Sequence, residues 1–168
     1  MNLEHFNGLD LQVATTELTA CLGCELWASD VAALRPFASV DALVSAGISR
    51  WNKASEQENL EAFSAHPQIG DLEALRNKYA NTASAEQGQI TQADEAVLQE
   101  LQSNNQAYLE KFGFIFIVCA TGKSAAEMLT LLSARLPNDR ATELKNAATE
   151  QWQITLLRFN KLFTEETA

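Results

Sequence analysis

Apolar residues recur at three- and four-residue spacing along most of the chain, the signature of helices that bury one face. Leu11, Leu18, Leu22 and Leu26 set this rhythm from Leu9 to about Leu34, with Gly23 the place where it can break. Arg35-Pro36-Phe37 ends it, because the residue before a proline is driven out of the α region. Ser39 can cap a helix to about Lys53. The box Ser55-Glu56-Gln57-Glu58 can start another, through Leu60 and Phe63 to His66. Asp71 can cap a helix through Leu72, Leu75 and Tyr79. Thr91 opens a longer one with Ala93, Val97, Leu101 and Tyr108 on one side. The box Ser124-Ala125-Ala126-Glu127 starts a leucine-rich helix that ends near Pro137. A last helix, from about Asp139 to Phe163, has Leu144, Ala148, Trp152, Thr155, Phe159 and Leu162 along its apolar face. The pattern predicts an all-α fold: one multi-helix domain over residues 1–168, with no repeat and no Pro/Gly/Ser-rich linker.

Phe112 to Cys119 breaks the rhythm. Its aromatic and β-branched residues have strand propensity, but no partner strand exists elsewhere. A buried helix or extended segment, kinked around Gly113, is expected. If the segment is irregular, its backbone groups need partners, which a ligand could supply.

Composition narrows the function. Seven glycines and three prolines are too few for a turn-rich β protein. A net charge of −10, without a basic stripe, argues against nucleic acid as a partner, and any anionic substrate would need local cations. The longest apolar run, Phe112 to Ala120, is too short to span a bilayer, so no membrane association is expected. The opening MNLEHFNGLD lacks the charged and apolar regions of a signal peptide. Three cysteines, an odd number, suit reduced thiols in the cytoplasm. Cys21 and Cys24 are spaced to lie near one helix face as small core residues.

Three groups could carry chemistry. His66, one of two histidines, falls at a helix end just before Pro67. There the helix dipole favours an imidazolium, so the residue can serve as acid or base, or simply bond the last free carbonyls. Ser84-Ala85-Glu86-Gln87 offers a hydroxyl, a carboxylate and an amide, and is equally a helix start. Arg158, on the last helix, either faces inward to bind a carboxylate or pairs with Glu150, Glu165 or Glu166. Thr121-Gly122-Lys123-Ser124 lacks the upstream glycine of a phosphate-binding loop. No HExxH or GxSxG motif is present. A non-catalytic helical interaction module is the alternative from another class.

Taken in order, His66-Pro67 with Ile69-Gly70, Glu86-Gln87, Lys111-Phe112-Gly113-Phe114 with Phe116-Ile117, Arg135-Leu136 with Asn138, and Ile154 with Arg158 form a set. This set resembles the decarboxylases of 2-oxo-4-hydroxy-4-carboxy-5-ureidoimidazoline (OHCU), an intermediate of urate breakdown. The resemblance extends over nearly the whole chain, including Trp27 and Arg35-Pro36-Phe37. It implies a helical fold and conversion of OHCU to (S)-allantoin and CO2 without cofactor or metal. It also implies His66 as the catalytic histidine with Glu86 as its acidic partner. Pro67, Gln87, the segment Ile117, Val118, Cys119, Ala120 and Thr121, and Arg158 would contact substrate. The family often has a serine three residues before the glutamate. Here that position is Ala83, and Ser84 follows as the remaining hydroxyl candidate. OHCU has a C=N bond beside the carbon that loses CO2, an internal electron sink that explains the absence of cofactor signatures. A symmetric homodimer is the default assembly.

Overall fold

Ser39, Ser55 and Ser124 each start a helix in the computed structural model, their hydroxyls accepting from the backbone N–H groups of Ala42, Glu58 and Glu127. Of each expected capping box the serine half forms, while the glutamate does not reach back to the serine N–H. The serine hydroxyl also bonds the glutamate carboxylate, at 3.3 Å for Ser55–Glu58 and 3.2 Å for Ser124–Glu127. The structure describes residues 1–67, 71–79 and 92–163, the side chains of residues 92 and 93 excepted. Among these residues there are nine helices and no strand: α1 (Leu3–Gly8), α2 (Leu11–Cys21), α3 (Glu25–Ala32), α4 (Val40–Trp51), α5 (Glu56–Ser64), α6 (Leu72–Tyr79), α7 (Gln92–Phe112), α8 (Ala125–Arg135) and α9 (Arg140–Phe163). The expected all-α class is what the chain adopts.

The chain divides into two compact units. The first holds Met1–His66, Ile117–Cys119 and the chain from Asn146 onward. Within it α3 packs on α2 and α4. Its aromatic centre is Trp27, stacked on Phe159 (centroids 6.4 Å, 19° between planes), with Trp152 edge-on to both. Two of the three buried indoles spend their N–H groups on backbone: Trp27 donates to the Gly47 carbonyl at 3.0 Å and Trp51 to the Ala148 carbonyl at 2.9 Å.

The second unit holds Pro67–Phe116 and Ala120–Lys145. Here α7 packs on α6 and α8. A buried network centres on Glu143, which is fully enclosed. Its carboxylate accepts from Tyr108 Oη (2.7 Å), Arg135 Nε (2.7 Å) and Asn138 Nδ2 (2.9 Å). Three donors and an opposite charge make a buried carboxylate tolerable. Burial, together with the neighbouring carboxylate, pushes the Tyr108 phenol far above its ordinary range, so it stays a donor.

Several expectations change. The short α1, capped by Asn2, was not expected. The helix over Leu9–Leu34 is two helices, and its break at residues 22–24 separates the cysteines: Cys21 ends α2 and Cys24 precedes α3. Both are buried, but not on one helix face. On α9 the buried positions are Glu143, Ala147, Gln151, Trp152, Thr155, Phe159 and Phe163. The enclosed face is thus rotated toward polar residues, because partners elsewhere in the chain satisfy Glu143 and Gln151. The Thr91 cap lies outside the described residues.

Phe112–Cys119 resolves into two parts. Gly113, with φ +79°, ends α7 in the left-handed region that glycine tolerates, its N–H donating to the Leu109 carbonyl. The following residues run to Ala120 without helix or strand. Burial on every side is not found: Phe114 and Ile117 are buried, whereas Ile115, Phe116, Val118 and Cys119 are half-buried.

Candidate active site

Within the first unit, α2 ends at Cys21 with a carbonyl that has no further turn of helix to bond it. Two side chains of α9 satisfy it: Arg158 Nη1 donates at 3.0 Å and Thr155 Oγ1 lies at 3.3 Å. The positive guanidinium also meets the negative end of the α2 dipole. Arg158 therefore faces inward, half-buried, and has no ion-pair partner among the described residues. Glu150, proposed from sequence as a partner, is not one; Glu165 and Glu166 lie outside the described residues.

The end of α5 supplies the histidine. Ser64 is the last helical residue and the His66 N–H still donates to the Phe63 carbonyl, so the imidazole leaves the helix within its final turn. Gly23, in the α2–α3 break, sets how close this end approaches: a Cβ there would overlap the Ala65 Cβ. His66 Nε2 lies 2.6 Å from Gln151 Oε1. Gln151 Nε2 in turn donates to Thr155 Oγ1 at 3.2 Å. Gln151, Thr155 and Arg158 are spaced by four and three residues, so one face of α9 presents all three.

Electrostatics here correct the dipole argument. Burial pushes the His66 pKa below 6.5, the nearby Arg158 charge pushes it further, and the Gln151 hydrogen bond offsets only part of this. A helix end exposed to water would favour imidazolium; a half-buried one beside a guanidinium favours the neutral ring. Burial also raises the Cys21 thiol to about 11, which Arg158 only partly opposes, and raises Cys24 to about 11. Both are protonated at neutral pH and are poor nucleophiles.

The structure thus brings together His66 and Arg158, and adds Gln151 and Thr155. Thr155 was visible only as a position on the apolar face, and Gln151 was missed; the signal was the 151–155–158 polar spacing. Ile117, Val118 and Cys119 belong to the same unit and lie outside helix and strand. Pro67, Ala120 and Thr121 belong to the second unit, where Pro67 and Thr121 are exposed and Ala120 half-buried. Ser84, Glu86 and Gln87 lie outside the described residues. Among the described residues no three His, Cys, Asp or Glu side chains group to hold a metal ion. None of the described helices is long and apolar enough to cross a membrane.

A neutral imidazole near a guanidinium that has no carboxylate partner among the described residues is suited to an anionic, proton-bearing substrate. Comparison with known proteins points the same way. The OHCU decarboxylase family model matches residues 7–160. Over 159 residues the chain is 38% identical to the uric acid degradation bifunctional protein of Arabidopsis thaliana, covering 93% of this chain and 49% of that protein. It thus spans about half the length of that relative. It is 30% identical over 133 residues to the 2-oxo-4-hydroxy-4-carboxy-5-ureidoimidazoline decarboxylase of Haloferax volcanii, covering 79% and 77% of the two chains. A crystal structure of an OHCU decarboxylase in the presence of (S)-allantoin superposes with a TM-score of 0.72 at 39% identity, covering 89% of this chain and 98% of the other. With its family model matched from residue 7 to residue 160, this chain belongs to the OHCU decarboxylase family.

Proposed function

We propose that the chain decarboxylates OHCU to (S)-allantoin and CO2 in urate catabolism, with His66 and Glu86 handling the proton. The observation that carries this reading is a neutral His66 in the field of Arg158, which has no carboxylate partner among the described residues, in a chain of this family. Arg158, its Nη1 anchored on the Cys21 carbonyl, offers its remaining N–H groups to the substrate carboxylate. When the C–CO2 bond breaks, its electron pair forms a C=C bond to the ureido-bearing carbon, the C=N π pair moves onto the ring nitrogen, and that nitrogen takes up a proton from water, which leaves CO2 and an enol. Loss of the hydroxyl proton and delivery of a proton to the ureido-bearing carbon then complete allantoin. A neutral imidazole can take the first proton and, as imidazolium, return one to a single face. Proton transfer of this kind contributes roughly 10²–10⁴-fold.

The roles of Pro67, Ser84, Gln87 and residues Ile117 to Thr121 as substrate contacts, and of Glu86 beside His66, rest on their places in the family motif order. Support for Ile117–Cys119 is their place in the same compact unit as His66 and Arg158. Assembly as a homodimer and a cytoplasmic location belong to the same reading; Cys21, Cys24 and Cys119, none of them in a disulfide, favour a reducing compartment.

The test is to generate OHCU in situ from urate and follow circular dichroism. The reading expects rapid formation of one allantoin enantiomer; a trace matching the protein-free racemic decay would overturn it.

A further inference from the structure

Gln151 is fully buried and both ends of its amide are engaged, so its orientation carries chemical information. Thr155 has one hydroxyl hydrogen and two main-chain acceptors for it, the Gln151 carbonyl at 2.9 Å and the Cys21 carbonyl at 3.3 Å. A hydroxyl that donates to a carbonyl has only lone pairs left for a third partner. The Gln151 amide therefore turns its NH2 to Thr155 and its Oε1 to His66. An amide oxygen only accepts, so the His66 Nε2 facing it carries the hydrogen.

We propose that Gln151 is a positioning residue for the decarboxylation: pinned by Thr155, it holds His66 as the Nε2–H tautomer and leaves the Nδ1 lone pair to take the substrate proton. The proposal rests on the reading of His66 as the proton acceptor. No hydrogen bond to Nδ1 is formed among the described residues. In this proposal Glu86 acts on the substrate side of the proton transfer and not as an acceptor for Nδ1, whose lone pair is kept for the substrate. The chain Cys21 carbonyl, Thr155, Gln151, His66 fixes the imidazole in orientation as well as protonation. Such a partner acts on the reacting geometry more than on substrate affinity. It also accounts for why α9 buries a glutamine between Ala147 and Thr155, where a leucine would pack more cheaply.

The test is a two-bond ¹H–¹⁵N spectrum of the full chain labelled at histidine, with His5 assigned through His5→Gln. At pH 8, His66 in the unaltered protein should show a protonated Nε2, an unprotonated Nδ1 and a slowly exchanging Nε2–H signal. A protonated Nδ1 would overturn the proposal without any variant being needed. Gln151→Met should lose the slow Nε2–H signal and lower kcat by about 10²-fold with KM within about twofold. Gln151→Glu, which keeps an acceptor at similar reach, should retain that signal and recover much of kcat at alkaline pH. Full activity in Gln151→Met, or an equal loss in both variants, would overturn it. Failure of the His66 reading is separable: His66→Gln would stay active while the tautomer spectrum remained as stated.

Discussion

Replacing Gly23 by alanine perturbs His66 from 43 residues away in sequence. Gly23 lies in the break between α2 and α3, and its Cα faces Ala65, the residue before His66. A Cβ at this position overlaps the Ala65 Cβ, and neither atom belongs to a flexible side-chain end. Ordinary carbon–carbon contact needs ~3.5–4.0 Å, so the end of α5 must retreat by roughly 1 Å. Overpacking of this kind costs about 1–3 kcal/mol of stability. A shift of about 1 Å at a reacting group can cost ~10² in rate. Gly23→Ala should therefore lower kcat for OHCU decarboxylation by 10- to 100-fold while lowering the urea midpoint only modestly. Allantoin formation by circular dichroism and urea denaturation on the same samples give the two numbers. Gly8→Ala is the control, since a Cβ there meets nothing within 4 Å. Unchanged kcat in Gly23→Ala, with the midpoint also unchanged, would refute the claim that this close approach places His66.

Other outcomes follow from the same contacts. Arg158→Met removes the cation that depresses His66, so the histidine pKa measured by NMR should rise; KM should rise roughly 10- to 100-fold if the guanidinium holds the substrate carboxylate. Burial and the Arg158 charge hold the His66 pKa below 6.5 in the substrate-free protein, so the acid limb of kcat/KM should have its midpoint below that value. The unfolded chain takes up this proton near 6.5 and the folded chain only at lower pH; stability should be full above pH 6.5 and fall as pH drops through that window. A pH-independent kcat/KM down to the point of unfolding would contradict a neutral base. Glu143→Ala strands Arg135 and Tyr108 without their buried carboxylate and should cost about 3–5 kcal/mol in urea unfolding; a loss under 1 kcal/mol would mean the network contributes little.

Helix starts were legible because their causes are local. Ser39, Ser55, Asp71 and Ser124 each bond a backbone N–H three residues on, and a reader of sequence sees both ends of that contact. The break near Gly23 and the kink at Gly113 were legible for the same reason. The polar side of α9 was not. Glu143 and Gln151 look like solvent residues until Tyr108 and His66, 35 and 85 residues away, supply their partners. The same holds for the charge state of His66: the helix end was visible, whereas the burial and the Arg158 charge that outweigh its dipole come from tertiary packing. Motif order identified the family across the chain, yet among the described residues it took α9 and the α2 terminus together to show what holds Arg158 in place.

The most direct measurement compares His66→Gln with the unaltered protein, each given fresh OHCU made in situ, with allantoin followed by circular dichroism. The account predicts a single enantiomer formed rapidly by the unaltered protein and a fall of at least ~10²-fold in the variant, with its urea midpoint nearly unchanged. A folded His66→Gln protein that still makes (S)-allantoin at the unaltered rate would contradict it.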